Sequence, residues 1–160
     1  MPTKLKSVAK RALIVLVVFL VVIQFIHPAK NQNTTINAND IVNTYQVPDD
    51  VHKILAKACY DCHSNNTTYP WYSKIQPVDW WLNDHVNDGK RHLNFSEFGS
   101  YSTKRKAKKL KEVAGTITDN EMPLGSYTLI HRNAILTEAE KAVVVNWARS
   151  LSTQIADTVK

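Results

Sequence analysis

Two thiols and an imidazole are grouped within five positions of this 160-residue chain, in the run Cys59-Tyr60-Asp61-Cys62-His63. These are the only cysteines that the chain contains. Thiols three positions apart can each add to one vinyl group at the edge of a porphyrin, and the adjacent imidazole can reach the iron. C-x-x-C-H is therefore the attachment signature of c-type haem. The run predicts one covalently attached haem c, with its iron bound on one face by His63.

Other uses of the cysteine pair are less consistent with the sequence. A thioredoxin-type redox pair lies at a strand-to-helix turn, whereas the apolar pattern here places Cys59 at the end of a helix. A structural zinc site needs two further ligands, and no second cysteine pair or closely spaced histidine pair supplies them. A plain disulfide leaves His63 without a role. Haem attachment is the preferred interpretation.

The opposite face of a six-coordinate haem iron is usually occupied by Met or His. Met122 is the only methionine beyond the initiator. It lies in a polar loop closed by Pro123 and Gly125, not on a helix stripe, so we expect it to be the sixth ligand. His85 is the first alternative, and weaker candidates are His131, His92 and His52. An open sixth position is a further alternative.

A run of apolar residues at 12–26 follows four basic residues and predicts a membrane segment whose N-terminus is cytoplasmic. Fifteen helical residues span about 22 Å, less than a hydrocarbon core of about 30 Å, and flanking residues extend the run. No small-x-small cleavage site follows, which favours a signal anchor over a cleaved signal peptide. Either alternative places the rest of the chain outside the bacterial cytoplasm, in the periplasm for a single-pass anchor in the cytoplasmic membrane.

The elements that must position these residues are predicted to be helices. We expect a membrane segment at 1–29, a flexible linker at 30–46 and a haem domain at 47–155. Apolar spacing predicts helices that begin after Pro48, cover Val78 to Asn87 with Gly89 near the C-cap, cover Thr103 to Thr118, and begin at Thr137 in a capping box with Glu140. No convincing strand alternation is present. The prediction is a small all-α, cytochrome c-like domain around one haem, preceded by a membrane helix.

The charge pattern gives little indication of nucleic-acid binding. The formal charge is +6, but four of the basic residues precede the apolar run, and the remaining 16 basic and 14 acidic residues nearly balance. Basic residues at 104–111 are expected to form a solvated helix face. Docking of an acidic electron-transfer partner there is the alternative.

Several segments together resemble the bacterial haem-binding domain family, over most of the chain from about Ile26 to Leu151. They are the C-x-x-C-H run with Ser64-Asn65, Tyr69-Pro70-Trp71-Tyr72, Asp84-His85-Val86, Leu93-Asn94-Phe95-Ser96-Glu97, Glu121-Met122-Pro123, and Leu136-Thr137 to Trp147. The resemblance implies haem binding, and the Met-Pro element is similar to the distal loop of small cytochromes c. Trp71, Trp80 and Trp81 are expected either to wall the haem pocket or to pack in the core.

A haem with His63 and Met122 as its two ligands exchanges single electrons without binding a substrate, so we expect an electron carrier, not an enzyme, with an unidentified redox partner protein. The alternative is a haem-based sensor or peroxidase-like protein with an open or displaceable sixth ligand. A thiol-disulfide oxidoreductase without haem is a third and weaker hypothesis.

Overall fold

Helices are the regular elements of the part of the chain that the structure describes. The computed structural model describes residues 2–35 and 37–158. Its α-helices are α1 (Pro2–Ile23), α2 (Ile41–Thr44), α3 (Asp49–Ala58), α4 (Tyr60–His63), α5 (Val78–His92), α6 (Thr103–Thr118), α7 (Gly125–Thr128) and α8 (Glu138–Asp157), and its 3-10 helices are Trp71–Lys74, Phe95–Ser100 and Arg132–Ala134. Within these ranges no strand forms, and one isolated antiparallel bridge joins Gln32 and Asn66. The all-α prediction is confirmed.

The chain forms two compact units, and α5 contributes residues to both. The first unit contains residues 2–30 and 69–85, and the second contains residues 31–35, 37–68 and 86–158. The C-x-x-C-H run and Met122 both belong to the second unit.

Helix α1 of the first unit forms over the apolar run, and its large side chains from Leu13 to Val22 are exposed. Among the described residues, however, no helix has both the length and the apolar character required of a membrane span. The helix itself is confirmed, and its membrane-spanning role stays a prediction.

The segment that follows α1 is fixed within the first unit by buried polar groups. The Gln76 backbone N–H donates to Gln24 Oε1 at 2.9 Å, and Trp80 Nε1–H donates to the Ile26 carbonyl at 2.9 Å. The carboxylate of Asp79, whose side chain is 1% exposed, accepts from His27 Nδ1 at 2.8 Å and from Lys30 Nζ at 2.5 Å. Burial alone would raise the pKa of Asp79, but these two donors outweigh it and lower the pKa. Asp79 therefore organises this unit as a paired anion.

The second unit has one apolar core, in which α6 packs along α8. Helical spacing predicts an apolar stripe on α6 that consists of Ala107, Leu110, Val113, Ala114 and Ile117. Four of these residues are buried, and Val113 is half-buried. The Ser152 hydroxyl of α8 donates to the Ala107 carbonyl at 2.8 Å. Helix α3 buries Val51, Ile54, Leu55 and Ala58 against this core, and these are the apolar residues that helical spacing places on one face. These elements form the scaffold that carries the C-x-x-C-H run.

The ends of the helices test the sequence interpretation most directly. Helix α6 has the predicted bounds, and the capping box of Thr137 and Glu140 at the start of α8 is present. The prediction that Gly89 ends a helix is wrong, because α5 continues through it to His92. A Cβ atom added at Gly89 would lie 2.6 Å from the Cys62 carbonyl oxygen. Glycine stands here because the backbone of another segment passes close by.

The segment predicted as a flexible linker is partly ordered in the second unit. It contains α2, whose Ile41 is fully buried and whose N-cap is Asp40. Asn31 Nδ2 donates to the Ser64 carbonyl at 2.9 Å, and the Thr67 N–H donates to the Asn31 carbonyl at 2.8 Å. Asn31, which belongs to the polar segment predicted as a linker, therefore binds the loop that follows His63.

Candidate haem-binding site

The C-x-x-C-H run forms a single helical turn. Cys59 is the C-cap residue of α3, where its N–H donates to the Leu55 carbonyl at 2.9 Å, and it is also the N-cap residue of α4. Its own carbonyl accepts from Cys62 N–H at 3.2 Å and from His63 N–H at 2.9 Å. The backbone hydrogen bonds of one turn thus hold the two thiols and the imidazole close together. This turn directly follows α3, one face of which is buried in the core.

The imidazole of His63 is oriented by the backbone of the segment after α5. Its Nδ1–H donates to the Leu93 carbonyl at 2.9 Å, because a carbonyl can only accept. Burial lowers the pKa of His63, although hydrogen bonds to the Leu93 and Gly89 backbone partly oppose this. The neutral ring therefore carries its proton on Nδ1 and leaves Nε2 as the free lone pair. This is the arrangement in which a backbone carbonyl fixes a metal-binding histidine.

The loop after His63 is tied to the 3-10 helix at Phe95–Ser100. The Asn65 N–H donates to Ser96 Oγ at 3.2 Å, and Asn65 Nδ2 donates to Glu97 Oε1 at 2.8 Å. Asn94 Nδ2 donates to Asn65 Oδ1 at 2.8 Å. The Leu93-Asn94-Phe95-Ser96-Glu97 segment thus supports the position of the histidine, a role that its sequence did not indicate.

Met122 is presented by the C-terminal end of α6. Asn120 has φ of 59°, in the left-handed region that asparagine tolerates better than most residues. Its N–H donates to the Ile117 carbonyl at 3.2 Å, and the Glu121 N–H donates to the Thr116 carbonyl at 2.9 Å. This pair of bonds is a Schellman motif, which reverses the chain after the helix. The Met122 N–H also bonds to the Thr116 carbonyl at 3.2 Å, so the methionine follows the helix end directly.

Three of the four predicted site residues line one cavity of about 400 Å³ in the second unit: Cys59, His63 and Met122. This volume is within the range of small-molecule and cofactor sites. Much of the wall is apolar, and its apolar members include Ala58, Leu93, Phe95, Val113, Ile117, Pro123 and Leu136. The fourth residue, Cys62, lies in the same turn and packs against the α5 backbone at Gly89.

Of the alternative sixth ligands, only His92 lines this cavity. The His85 ring lies against Trp81 in a tilted arrangement with ring centroids 4.2 Å apart, and its Nδ1–H donates to the Trp81 carbonyl at 2.9 Å. His131 stacks on Tyr127, and His52 is exposed beside Tyr60. His92 is therefore the histidine that the structure brings to the cavity, and the identity of the sixth ligand stays a prediction.

The three tryptophans singled out in the sequence do not line the cavity, nor are they buried. Trp71, Trp80 and Trp81 are 75%, 36% and 47% exposed, and all belong to the first unit. Neither of the two expected roles, walling the pocket or packing in the core, is found.

The cavity also has a charged wall, formed partly by the basic run of α6. Lys104, Arg105, Lys108 and Lys111 are exposed, as a solvated face predicts. Lys109 instead lines the cavity with only 16% of its side chain exposed, and its Nζ lies 2.6 Å from Glu112 Oε2. The hydrogen bond from Lys109 is the main cause that lowers the pKa of Glu112. One cation of the run therefore belongs to the site.

The thiols are held in their neutral form. Burial, with a smaller contribution from Cys62, raises the pKa of Cys59 to about 12. Burial, with a smaller contribution from Asp61, raises the pKa of Cys62 to about 11. Thioredoxin-type cysteines have lowered pKa values, because a thiolate is the attacking species. The environment of this pair does not favour thiol-disulfide exchange.

The arrangement matches the donor set of a haem site. The cavity is mostly apolar and is lined by an imidazole with Nε2 available and by a thioether, and two neutral thiols lie in the adjoining turn. Imidazole and thioether are both ligands that haem iron accepts. Sequence reasoning missed the Leu93 carbonyl and Gly89. A backbone carbonyl gives no sequence signal, and the glycine was assigned to a helix end. The one sequence signal for Gly89 is that it lies only four residues before Leu93, which begins a segment that resembles the haem-binding domain family.

Comparisons with known proteins agree with this site. A family model described as "Haem-binding domain" matches residues 18–150. No curated protein and no solved structure matches the chain. The matched range contains the C-x-x-C-H run, the Leu93–Glu97 segment and Met122. This chain belongs to the haem-binding domain family, as the resemblance predicted.

Proposed function

We propose that this protein is an exported, membrane-anchored monohaem c-type cytochrome domain that carries single electrons. The observation that carries the proposal is the convergence of Cys59, His63 and Met122 on one mostly apolar cavity. Cys59 and His63 come from the junction of α3 and α4 and from α4, and Met122 comes from the loop after α6, about sixty positions later in the chain. The cavity thus combines the C-x-x-C-H attachment motif with the thioether of Met122, which is a second possible iron ligand.

Cys59 and Cys62 would hold the cofactor covalently. Each thiol adds across one vinyl double bond, so that sulfur forms a bond to carbon and the thiol hydrogen passes to the other vinyl carbon. The addition is balanced within the two reactants. The neutral state of both thiols in the folded turn fits this use better than a disulfide cycle.

His63 and Met122 would bind the iron. The hydrogen bond from Nδ1–H to Leu93 leaves Nε2 of His63 for the metal. When bound, haem supplies a one-electron ferric-ferrous couple, and methionine ligation raises its reduction potential. With both positions filled by the chain, the function would be transfer of an electron from a donor protein to an acceptor, without a substrate on the iron.

The runner-up function is a haem-based sensor or peroxidase-like protein. The observation that favours it is the partial exposure of the Met122 loop together with His92 on the cavity wall. A sixth ligand that can be displaced, or exchanged for His92, would admit a small molecule. The two functions differ in whether Met122 stays bound in both oxidation states.

Anchoring through α1 is part of the proposal. Its exposed apolar side chains need a nonaqueous environment. Trp71, Trp80 and Trp81 are exposed in the same unit, and Trp80 is bonded to Ile26. Exposed tryptophans of this kind are typical of membrane–water interfaces. The haem domain would then lie on the periplasmic side of a bacterial cytoplasmic membrane.

The haem proposal is tested on the full chain, expressed with the c-type maturation machinery. We expect haem to remain with the polypeptide on a denaturing gel, and a pyridine haemochrome of the two-thioether type. Cys59→Ser and Cys62→Ser should each shift that spectrum to the one-thioether type, and the double variant should lose the haem on denaturation. Haem that is extracted from the parent chain by acid and organic solvent would refute covalent attachment.

The sixth ligand is assigned with three matched alanine variants. Met122→Ala should abolish the red charge-transfer band of a methionine–iron bond, whereas His92→Ala and His85→Ala should keep it. Loss of the native low-spin spectrum in His92→Ala alone would identify His92 as the ligand. Rapid carbon monoxide binding by the parent ferrous protein would favour the sensor.

Anchoring is tested on membranes from the producing cells. The full chain should stay in the membrane after extraction with alkaline carbonate, and mass spectrometry should find the N-terminal residues present. Release of a shortened chain would show that the segment is cleaved.

A further inference from the structure

A side-chain hydrogen bond joins the segment that follows Met122 to the C-x-x-C-H turn. After Met122 the chain enters α7, and the hydroxyl of Tyr127 donates to Asp61 Oδ2 at 2.6 Å. Asp61 lies between the two cysteines. The bond therefore joins the segment of one proposed iron ligand to the segment of the other.

Asp61 is held in place by contacts that do not involve Tyr127. Its Oδ1 accepts from the Thr68 N–H at 2.9 Å, and its carbonyl accepts from the Thr67 hydroxyl at 2.6 Å. The carboxylate is thus fixed to the C-x-x-C-H turn and to the loop that follows it. A hydroxyl that donates to an oriented carboxylate makes one of the stronger kinds of hydrogen bond.

Tyr127 is equally well fixed on its own side. Its ring stacks on His131 with centroids 4.3 Å apart and planes 13° apart, and its N–H donates to the Leu124 carbonyl at 3.0 Å. At the other end of the loop, Thr116 holds Glu121 and Met122 through its carbonyl. The loop from Met122 to Leu124 is therefore fixed at both ends, by its hydrogen bonds to the end of α6 and by the Tyr127–Asp61 bond.

We propose that Tyr127 and Asp61 are positioning residues that hold the Met122 loop against the haem-attachment turn and so determine how readily Met122 leaves the iron. This inference rests on the proposed ligation by Met122. The bond lowers the free energy of the state in which the loop is closed, and it has no counterpart once the loop has moved away. Its removal therefore raises the fraction of molecules in which the sixth position is open.

The test is the affinity of the ferric, haem-loaded full chain for imidazole, read from its absorption spectrum. Added imidazole binds only where Met122 is off the iron, so its apparent affinity is proportional to the open fraction. Tyr127→Phe keeps the ring and removes only the hydroxyl. We expect it to tighten imidazole binding by about tenfold, which corresponds to about 1.4 kcal/mol. Asp61→Asn should also tighten binding, and the double variant should gain little over Tyr127→Phe alone.

Tyr60→Phe is the matched control. Tyr60 is the neighbour of Asp61 in the same turn, and its buried hydroxyl has no hydrogen-bond partner among the described residues. The same atom is removed from the same motif, but no bond is lost, so imidazole affinity should not change.

Two results would overturn the inference in distinguishable ways. If Tyr127→Phe leaves imidazole affinity unchanged while Met122→Ala tightens it, Met122 is a ligand but the bond does not hold it. A merely structural role of Tyr127 would give this result together with a lower free energy of unfolding. If Met122→Ala also leaves the affinity unchanged, the proposed ligation fails, and the positioning role fails with it.

Discussion

Replacement of Gly89 by alanine tests the closest backbone approach in the site. Gly89 lies inside α5, where alanine is intrinsically favoured over glycine by about 1 kcal/mol. The added Cβ, however, would lie 2.6 Å from the carbonyl oxygen of Cys62 and 3.1 Å from its Cβ. Ordinary contact begins near 3.4 Å, so the two segments must separate by about 0.8 Å.

The cost of that separation should exceed the gain in helix propensity. Overpacking of a well-packed site typically costs about 1–3 kcal/mol. Here the atoms that must move are backbone atoms of the C-x-x-C-H turn, so relief by a side-chain rotation is not available. We expect Gly89→Ala to lower the free energy of unfolding by about 1–2 kcal/mol, and to lower the yield of haem-loaded protein.

Gly115→Ala is the matched control. Gly115 lies inside α6, and a Cβ added there meets no atom within 4 Å. This variant should gain up to about 1 kcal/mol, which is the propensity alone. The free energies of unfolding are measured by guanidinium titration of the full chain in detergent, followed by circular dichroism. If both variants are stabilised equally, the close approach of α5 to Cys62 is refuted.

Two further substitutions test the buried carboxylate and the turn before Met122. Asp79→Asn should lower the free energy of unfolding by about 1–3 kcal/mol at pH 7, since it leaves donors without their charged acceptor. Because the folded-state pKa of Asp79 is lowered, its stabilisation is complete above the unfolded pKa of about 4 and is lost as the pH falls through the folded value. Urea titrations should therefore show the gap between variant and parent narrowing from pH 7 to about pH 3, and a constant gap would contradict the pairing. Asn120→Gly should be tolerated, because glycine adopts the left-handed conformation of this residue readily. Asn120→Val should lower the free energy of unfolding by about 1–2 kcal/mol and weaken the methionine–iron band. Equal spectra and stabilities in both variants would rule out this helix end as the element that presents Met122.

Local patterns predicted much of the fold. The stripe of α6, the buried face of α3 and the capping box of α8 depend on residues within a few positions of one another, and periodicity reveals them directly. Gly89 shows the limit of prediction from local patterns. A glycine near the end of an apolar stripe predicts a helix end unless the segment that packs against it is known. Tertiary contact, not propensity, decided its place.

The candidate site divides in the same way. The C-x-x-C-H run and Met122 were evident because thiol, imidazole and thioether are rare and chemically distinctive. The partner of His63 is a backbone carbonyl, which every residue possesses, and the partner of Tyr127 is an aspartate sixty-six positions earlier. The place of His92 and Lys109 on the cavity wall gave no sequence signal, because it depends on how their helices are rotated about their axes.

The placement of His63 and Met122 in one cavity has a consequence for the unfolded chain. Under the proposed ligation, His63 and Met122 would bind one iron and so close a loop of about sixty residues. A permanent cross-link over such a loop removes unfolded-state entropy worth about 4 kcal/mol at room temperature. This cross-link would be reversible, since it lasts only while Met122 is bound. Oxidation state, which changes the affinity of iron for thioether sulfur, would then also set the resistance of the domain to unfolding.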